Sequence, residues 1–219
     1  MKTIGDYWKD FAIRWEESSY EHRTGGLSIV EKIATWQREH ILARRRSALA
    51  HLKNRIAGLR VLEIGCGGGA FSLELLKGGA AHVSGIDISP QVIAVAAEHA
   101  RQAGVAERAA FAAMTIEDAP GRSFGQVDLL VGLGILEYLE PVVLVTLIRA
   151  VRPRQVLFSF DERRATVKTA LHFVYRRLKR FPFYKKYSAG ELSALLTEAG
   201  VPRTAVFREG DNSFITTFE

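Results

Sequence analysis

Short apolar runs alternate with amphipathic stretches through the middle of the chain. Runs rich in apolar and β-branched residues predict five strands, at residues 60–64, 82–86, 109–113, 127–133 and 155–160. Between them, apolar positions at helical spacing predict helices at residues 71–77, 90–103 and 141–151. Strands that alternate with helices in this way predict a parallel sheet covered by helices on both faces.

The last part of the chain departs from this alternation. Ser188 and Glu191 have the spacing of a capping box and predict a helix over 188–199. Two further strands, at 204–208 and 213–218, are separated by only four residues. So short a connection joins antiparallel neighbours, and we therefore expect the sheet to finish in a hairpin.

Helix-start residues mark further boundaries. The chain before the first strand is predicted to be helical, and its longer helix runs from Ser28 to about Leu52, with Glu31 completing a capping box. Gly58 is the predicted end of that helical region. Ser89 is predicted to cap the helix whose first residue is Pro90.

The length of 219 residues, of which 47% are hydrophobic, suits a single α/β domain with a sizeable core. The predicted fold is a doubly wound, mostly parallel seven-stranded sheet that ends in an antiparallel hairpin, with N-terminal helices and a helical insertion as a lid. We divide the chain into an N-terminal helical cap (1–57), a core (58–160), a basic helical insertion (161–187) and a C-terminal helix and hairpin (188–219).

The composition favours a cytoplasmic location. No apolar run approaches the roughly 20 residues of a membrane-spanning helix, and the first residues lack the apolar stretch of a secretory signal. The only cysteine, Cys66, has no partner for an internal disulfide.

Positive charge is concentrated in residues 161–187. This stretch holds nine Lys or Arg and two acids, a net charge of +7, whereas the whole chain nets +6. The nine basic residues are Arg163, Arg164, Lys168, Arg176, Arg177, Lys179, Arg180, Lys185 and Lys186. Such a cluster indicates an acidic substrate, a phosphate-bearing partner or a membrane surface, unless it is simply the solvated face of a helix.

A glycine-rich turn follows the first strand of the core. In Gly65-x-Gly67-x-x-Ala70 the backbone can approach a ligand closely, and the next helix begins directly afterwards. Asp87 ends the second strand, where a carboxylate can accept hydrogen bonds from ribose hydroxyls. These features predict an adenosine-binding crevice, and the glycine spacing alone also satisfies the nicotinamide fingerprint. Glu63, the run of three glycines and the terminal hairpin shift the interpretation away from a dinucleotide.

Five segments in order resemble the motifs of class I, Rossmann-like S-adenosylmethionine-dependent methyltransferases. They are 63–69, 85–89, 116–120, 124–139 and 148–153, and the resemblance covers roughly residues 58–160. It implies S-adenosylmethionine as the cofactor and methyl transfer as the reaction.

The resemblance also implies a set of cofactor-binding residues. Glu63, Gly65 and Gly67 would line the methionine end, Asp87 would hold the ribose, and the main-chain carbonyl near Gly132 would receive the amino group. Ile88 and Ile116 would flank the adenine, with Glu117 nearby. The full set is Glu63, Gly65, Cys66, Gly67, Gly69, Asp87, Ile88, Ile116, Glu117 and Gly132. Two positions depart from the family pattern: Thr115 stands where an acid is common, and Tyr138 where a histidine is common.

Methyl transfer from a sulfonium mainly requires alignment of the reacting atoms, and a general base is needed only where the nucleophile must lose a proton. The candidate catalytic residues are Tyr138, Asp161 and His22, with Glu137 and His172 as further candidates. Each also has a structural interpretation, Glu137 as a turn cap and Tyr138 as a packing residue. No metal site is expected.

The predicted function is methyl transfer to an oxygen or nitrogen of a small-molecule acceptor, which the basic insertion suggests is acidic. An NAD(P)-dependent oxidoreductase is the alternative enzyme. A nucleic-acid methyltransferase would use the same insertion, but no Asp/Asn-Pro-Pro-Tyr/Phe sequence follows the fourth strand, and nucleic acid is not the expected partner. Peripheral membrane contact through residues 163–186 and a non-catalytic cofactor-binding protein complete the alternatives.

Overall fold

The structure, a computed structural model, describes residues 29–163 and 184–218, with side chains from residue 39 onward. The strands are β1 (Arg60–Ile64), β2 (His82–Asp87), β3 (Ala109–Ala113), β4 (Leu129–Gly132), β5 (Gln155–Phe160), β6 (Ala205–Glu209) and β7 (Asn212–Thr216). The α-helices in these ranges are α1 (Ile29–Leu52), α2 (Ala70–Lys77), α3 (Pro90–Gln102), α4 (Pro141–Val151) and α5 (Ala189–Glu198).

The seven strands form one sheet in the order β3-β2-β1-β4-β5-β7-β6. The first five strands are mutually parallel, and β7 is antiparallel to both β5 and β6. The predicted doubly wound sheet with a terminal hairpin is therefore confirmed. The strand order reverses between β1 and β4, which leaves a crevice outside the carboxyl ends of these strands.

Successive residues of the central strands point to opposite faces of the sheet, and both faces are buried. Leu62, Leu130 and Phe158 belong to the apolar cluster that α4 and α5 cover. Val61, Leu129, Val131, Leu157 and Phe214 belong to a second cluster, under α1 and α2. The sheet is thus a rigid two-sided platform whose carboxyl edge carries the loops described below.

The longer N-terminal helix ends where the sequence predicts. Helix α1 stops at Leu52, and the chain then turns, with the Ile56 side chain buried beneath it. Gly58 has a left-handed φ of 76° and donates its N–H to the Gly79 carbonyl at 2.9 Å. It therefore shapes the entry to β1 rather than ending a helix. The side chains of Ser28 and Glu31 lie outside the described residues.

The other predicted caps differ in outcome. Ser188 and Glu191 form the predicted capping box at the start of α5, with both reciprocal hydrogen bonds present. Ser89 does occupy the N-cap of α3, but its hydroxyl donates to Gln91 and caps no backbone N–H. The predicted fourth strand, 127–133, is shorter in the structure because ladder pairing covers only Leu129–Gly132. No described helix combines the length and the apolar character that crossing a bilayer requires.

Candidate active site

The turn after β1 is built from glycines in a left-handed conformation. Gly65, Gly67 and Gly69 have φ values of 68°, 51° and 77°, which L-residues with side chains rarely adopt. The N–H groups of Gly65 and Cys66 both donate to the Ile86 carbonyl, at 2.8 and 3.0 Å, and so fix the turn to β2. Gly69 then serves as the N-cap of α2 without any side-chain cap. The turn brings bare backbone to the carboxyl edge of the sheet.

Neighbouring elements leave little room under this turn. A Cβ on Gly69 would lie 2.9 Å from the Ala96 Cβ of α3. The buried thiol of Cys66 packs beneath the turn and would lie 2.9 Å from a Cβ on Gly85 of β2. His99 of α3, which the sequence pattern did not single out, approaches the Gly68 carbonyl with its Nδ1 at 2.9 Å. Cys66 therefore acts as a small packing residue in the turn's floor.

Asp87, the last residue of β2, faces the same turn. Its two carboxylate oxygens accept the Gly67 N–H at 3.1 Å and the Ser89 N–H at 3.0 Å. Burial raises the pKa of this carboxyl, and its backbone hydrogen bonds, the one to Ser89 first, partly offset the rise. A half-buried carboxylate with more lone pairs than donors can accept further hydrogen bonds from ligand hydroxyls.

Glu63 lies within β1, two residues before Gly65. It is almost fully buried, and its carboxyl group accepts a hydrogen bond from the hydroxyl of Ser72 in α2. Ser72 was not predicted from the sequence; a serine on an otherwise apolar helix face is the signal that could have identified it. The pair links the strand and the helix on either side of the turn.

The predicted adenine-side residues lie after β2 and β3. Ile88 is half-buried, Ile116 is buried, and Glu117 is exposed. Thr115 occupies the position where the resembled family commonly has an acid. Its hydroxyl donates to Asp118 at 2.7 Å. An acid is thus present three residues later, on the same loop.

The loop after β4 is closely packed at its glycines. A Cβ on Gly132 would lie 2.8 Å from Ile135 and 2.9 Å from Ile64, so this position admits only glycine. The N–H of Gly134 donates to the Ser159 hydroxyl at 2.7 Å. The Arg44 guanidinium of α1 covers Gly134, where an added Cβ would clash with its Nη1. Helix α1 therefore reaches the carboxyl edge of the sheet.

Glu137 is a buried acid at the centre of this edge. Its Oε1 accepts the backbone N–H of Asp161 at 2.6 Å and so ties the β4 loop to the end of β5. Its Oε2 is buried without a hydrogen-bond partner among the described residues. Burial raises the pKa of the Glu137 carboxyl, and the positive charge of Arg44 opposes that rise. The suggested role of a turn cap is thus replaced by a link between two strand ends.

Asp161 is the centre of a polar cluster formed with Tyr184 and Lys186. Both belong to residues 184–187, which we name the return segment. The Tyr184 hydroxyl donates to Asp161 Oδ2 at 2.5 Å, and the Lys186 ammonium lies 3.0 Å from the same oxygen. The Tyr138 ring meets the Tyr184 ring edge-on, with centroids 5.5 Å apart. The structure therefore brings two predicted catalytic candidates, Tyr138 and Asp161, to one place and adds Tyr184 and Lys186 to them.

Backbone hydrogen bonds fix the return segment across the strand ends. Lys185 donates its N–H to the Glu137 carbonyl at 2.8 Å. Tyr187 donates to the Asp161 carbonyl at 3.2 Å and accepts from the Arg163 N–H at 2.8 Å. The segment thus joins the loops that follow β4 and β5.

The candidates His22 and His172 lie outside the described residues. So do six of the nine basic residues of the insertion. The other three have partners within the chain: Arg163 pairs with Glu191 at 3.1 Å, Lys186 pairs with Asp161, and the Lys185 ammonium lies 5.0 Å from the Tyr187 ring centroid.

Comparison with known proteins places this geometry in a family. Residues 61–154, which contain the glycine turn, Asp87 and the β4 loop, match the model of the methyltransferase domain family. The chain belongs to the class I S-adenosylmethionine-dependent methyltransferases. The family inferred from the five motifs is therefore confirmed, and with it the cofactor that the family uses.

Curated methyltransferases share this region. The chain is 30% identical over 155 residues to a ubiquinone biosynthesis O-methyltransferase of Xanthomonas euvesicatoria, a match covering 67% of this chain. It is 33% identical over 165 residues to a protein of the same name from Rhizobium leguminosarum, covering 69% of this chain. In both cases the match spans 64% of the relative's own length.

Solved structures share the fold. The magnesium protoporphyrin IX methyltransferase of Synechocystis, crystallised with bound S-adenosylhomocysteine, superposes with a TM-score of 0.68 at 18% identity, covering 97% of this chain and 96% of that one. A possible exported protein of Bordetella parapertussis gives a TM-score of 0.71 at 17% identity, with 94% and 78% coverage. At these identities the similarity concerns the fold.

Proposed function

We propose that this methyltransferase transfers the methyl group of S-adenosylmethionine to a hydroxyl oxygen of a small aromatic acceptor. The observation that carries the proposal is a juxtaposition along one sheet edge. The glycine turn and Asp87 lie at the ends of β1 and β2, and the cluster of Tyr138, Asp161 and Tyr184 lies at the ends of β4 and β5. One half suits a nucleoside, and the other suits an acceptor that must lose a proton.

The first half fits the cofactor. Asp87 has lone pairs for the ribose hydroxyls, and the left-handed glycines allow close backbone approach. The family resemblance assigns the cofactor's amino group to the main-chain carbonyl near Gly132. Ile88 and Ile116 would flank the adenine, with Glu117 at its exposed side and Glu63 behind the methionine end. When bound, S-adenosylmethionine supplies a methyl group that its sulfonium already activates, so the protein has mainly to align the acceptor.

The second half suits an aromatic hydroxyl. The Tyr138 and Tyr184 rings offer an aromatic wall, and Asp161 offers a carboxylate as general base. The curated relatives are named O-methyltransferases of ubiquinone biosynthesis, which supports an oxygen acceptor on a substituted ring. His22 has no part in this proposal. The net charge of the basic insertion, residues 161–187, supports an acceptor that itself carries negative charge.

The experiment measures methyl transfer to matched probes. With labelled S-adenosylmethionine, 3,4-dihydroxybenzoate should be methylated on oxygen, and 3,4-diaminobenzoate should be methylated far more slowly. The uncharged amide of the first probe, 3,4-dihydroxybenzamide, should show a higher KM than the acid if the acceptor is acidic. Preferential methylation of the diamine would contradict an oxygen acceptor, and equal KM values for acid and amide would contradict an acidic one.

A further inference from the structure

The hydroxyl of Tyr184 and the carboxylate of Asp161 form the shortest polar link at the acceptor end of the sheet. Tyr184 donates to Oδ2 at 2.5 Å, a short, charge-assisted hydrogen bond. Asp161 directly follows β5, and Phe158, three residues earlier, pairs with Gly132 at the end of β4. The pair therefore lies next to the strand end that we assign to the methionine part of the cofactor.

We propose that Tyr184 carries the proton of the acceptor hydroxyl to Asp161 and is thus a further catalytic residue, an inference that rests on the proposed function. A phenolic oxygen that donates its own proton still has two lone pairs with which to accept another hydrogen bond. Tyr184 can therefore stand between an acceptor hydroxyl and the carboxylate, in hydrogen bonds to both.

The proton movement balances without a further reactant. As the acceptor oxygen bonds the methyl carbon, the carbon–sulfur bond breaks and its electron pair stays on sulfur. The acceptor proton passes to Tyr184 Oη, and the proton that Tyr184 already donates passes to Asp161 Oδ2. Tyr184 ends neutral, as it began. Asp161 ends protonated, and because its side chain is 28% exposed it can return the proton to water.

The surrounding charges favour a proton carrier over a tyrosinate base. Burial, followed by the carboxyl groups of Glu137 and Asp161, raises the pKa of Tyr184, so the hydroxyl is its resting form. The Lys186 ammonium compensates the charge of Asp161 from the return segment. From α1, the charge of Arg44 acts on Glu137.

The backbone makes this arrangement rigid. Glu137 holds the Asp161 N–H, and Lys185, next to Tyr184, donates to the Glu137 carbonyl. The base and its tyrosine are thus fixed to one another through the same residue. A relay needs such alignment because proton transfer depends on hydrogen-bond distance.

The test removes the hydroxyl of Tyr184 from the protein and, separately, the hydroxyls from the ligand. Affinities are measured by calorimetry at saturating S-adenosylhomocysteine. In Tyr184→Phe, affinity for 3,4-dihydroxybenzoate should fall about fivefold, the value of one hydrogen bond, while affinity for 3,4-difluorobenzoate stays within twofold. Tyr187→Phe is the matched control, because the Tyr187 ring lies in the apolar core. It should leave both affinities unchanged. Unaltered binding of S-adenosylhomocysteine verifies the fold of each variant.

Kinetics supply a second measurement. Tyr184→Phe should lower kcat for 3,4-dihydroxybenzoate about a hundredfold, with the KM for S-adenosylmethionine unchanged. Asp161→Asn should lose kcat similarly but bind the dihydroxy probe nearly as the unmodified protein does. Equal weakening of both benzoates in Tyr184→Phe, or an unchanged kcat, would overturn the relay. If the unmodified protein fails to bind the dihydroxy probe, the proposed acceptor class is wrong, and the relay falls with it.

Discussion

Asp87→Ala provides the sharpest test of the cofactor half of the site. The carboxylate accepts the Gly67 and Ser89 N–H groups at 3.1 and 3.0 Å and is the group assigned to the ribose. Its removal deletes one charge-assisted hydrogen bond to the ligand, worth about 1.5–3 kcal/mol. It also leaves Gly67 without its side-chain acceptor. We expect the Kd for S-adenosylhomocysteine, measured by titration calorimetry, to rise tenfold to a hundredfold.

Asp128→Ala is the matched control. Asp128 also accepts a backbone N–H, that of Arg60 at 2.9 Å, and pairs with Arg154 at 3.3 Å, but it precedes β4 and lies at the opposite edge of the sheet. This variant should lose thermal stability while retaining the Kd for S-adenosylhomocysteine. Equal loss of affinity in both variants would refute the placement of the nucleoside at Asp87, as would an unchanged Kd in Asp87→Ala.

Two further predictions concern stability. Gly85→Ala would place a Cβ 2.7 Å from the Phe111 ring and should lower the free energy of unfolding, measured in denaturant, by about 1–3 kcal/mol. In the control Gly121→Ala the added Cβ would have no atom within 4 Å, so its loss of stability should be far smaller. Similar losses in the two variants would contradict the packing argument. The His51 ring stacks on Phe207 at 4.3 Å, and burial lowers its pKa below the usual value of about 6.5. Since the unfolded chain binds the proton more readily, stability should fall as pH drops below about 6.5, and His51→Phe should show a smaller fall between pH 8 and 5.5.

Much of the sheet could be predicted because its signals are local. Each central strand is an apolar run closed by a glycine or an acid, and Ser188 with Glu191 formed the capping box that their spacing predicts. The predicted start of β4 at residue 127 was wrong because the apolar run extends further than the strand pairing that defines β4. Val127 is buried, yet its carbonyl accepts the Arg154 N–H outside the ladder.

The site was predictable only in part. The positions of Gly65, Gly67 and Asp87 follow from the motif, because the turn and the strand end are adjacent in sequence. Tyr184 was missed since its contact with Asp161 joins residues 23 positions apart, and no local pattern encodes such a contact. The link from Glu137 to Asp161 spans 24 positions and escaped for the same reason.

The position of β7 has a consequence for the order of folding. This strand is wholly buried between β5 and β6, yet it is translated some fifty residues after β5. Until it arrives, β5 remains an unpaired edge of apolar residues, an aggregation hazard for a chain emerging from the ribosome. Because Ser213 pairs with Phe160, directly before Asp161, the acid at the end of β5 gains its final support only in this late step. Chaperone dependence during synthesis should therefore be governed by the hairpin rather than by the glycine-rich half of the sheet.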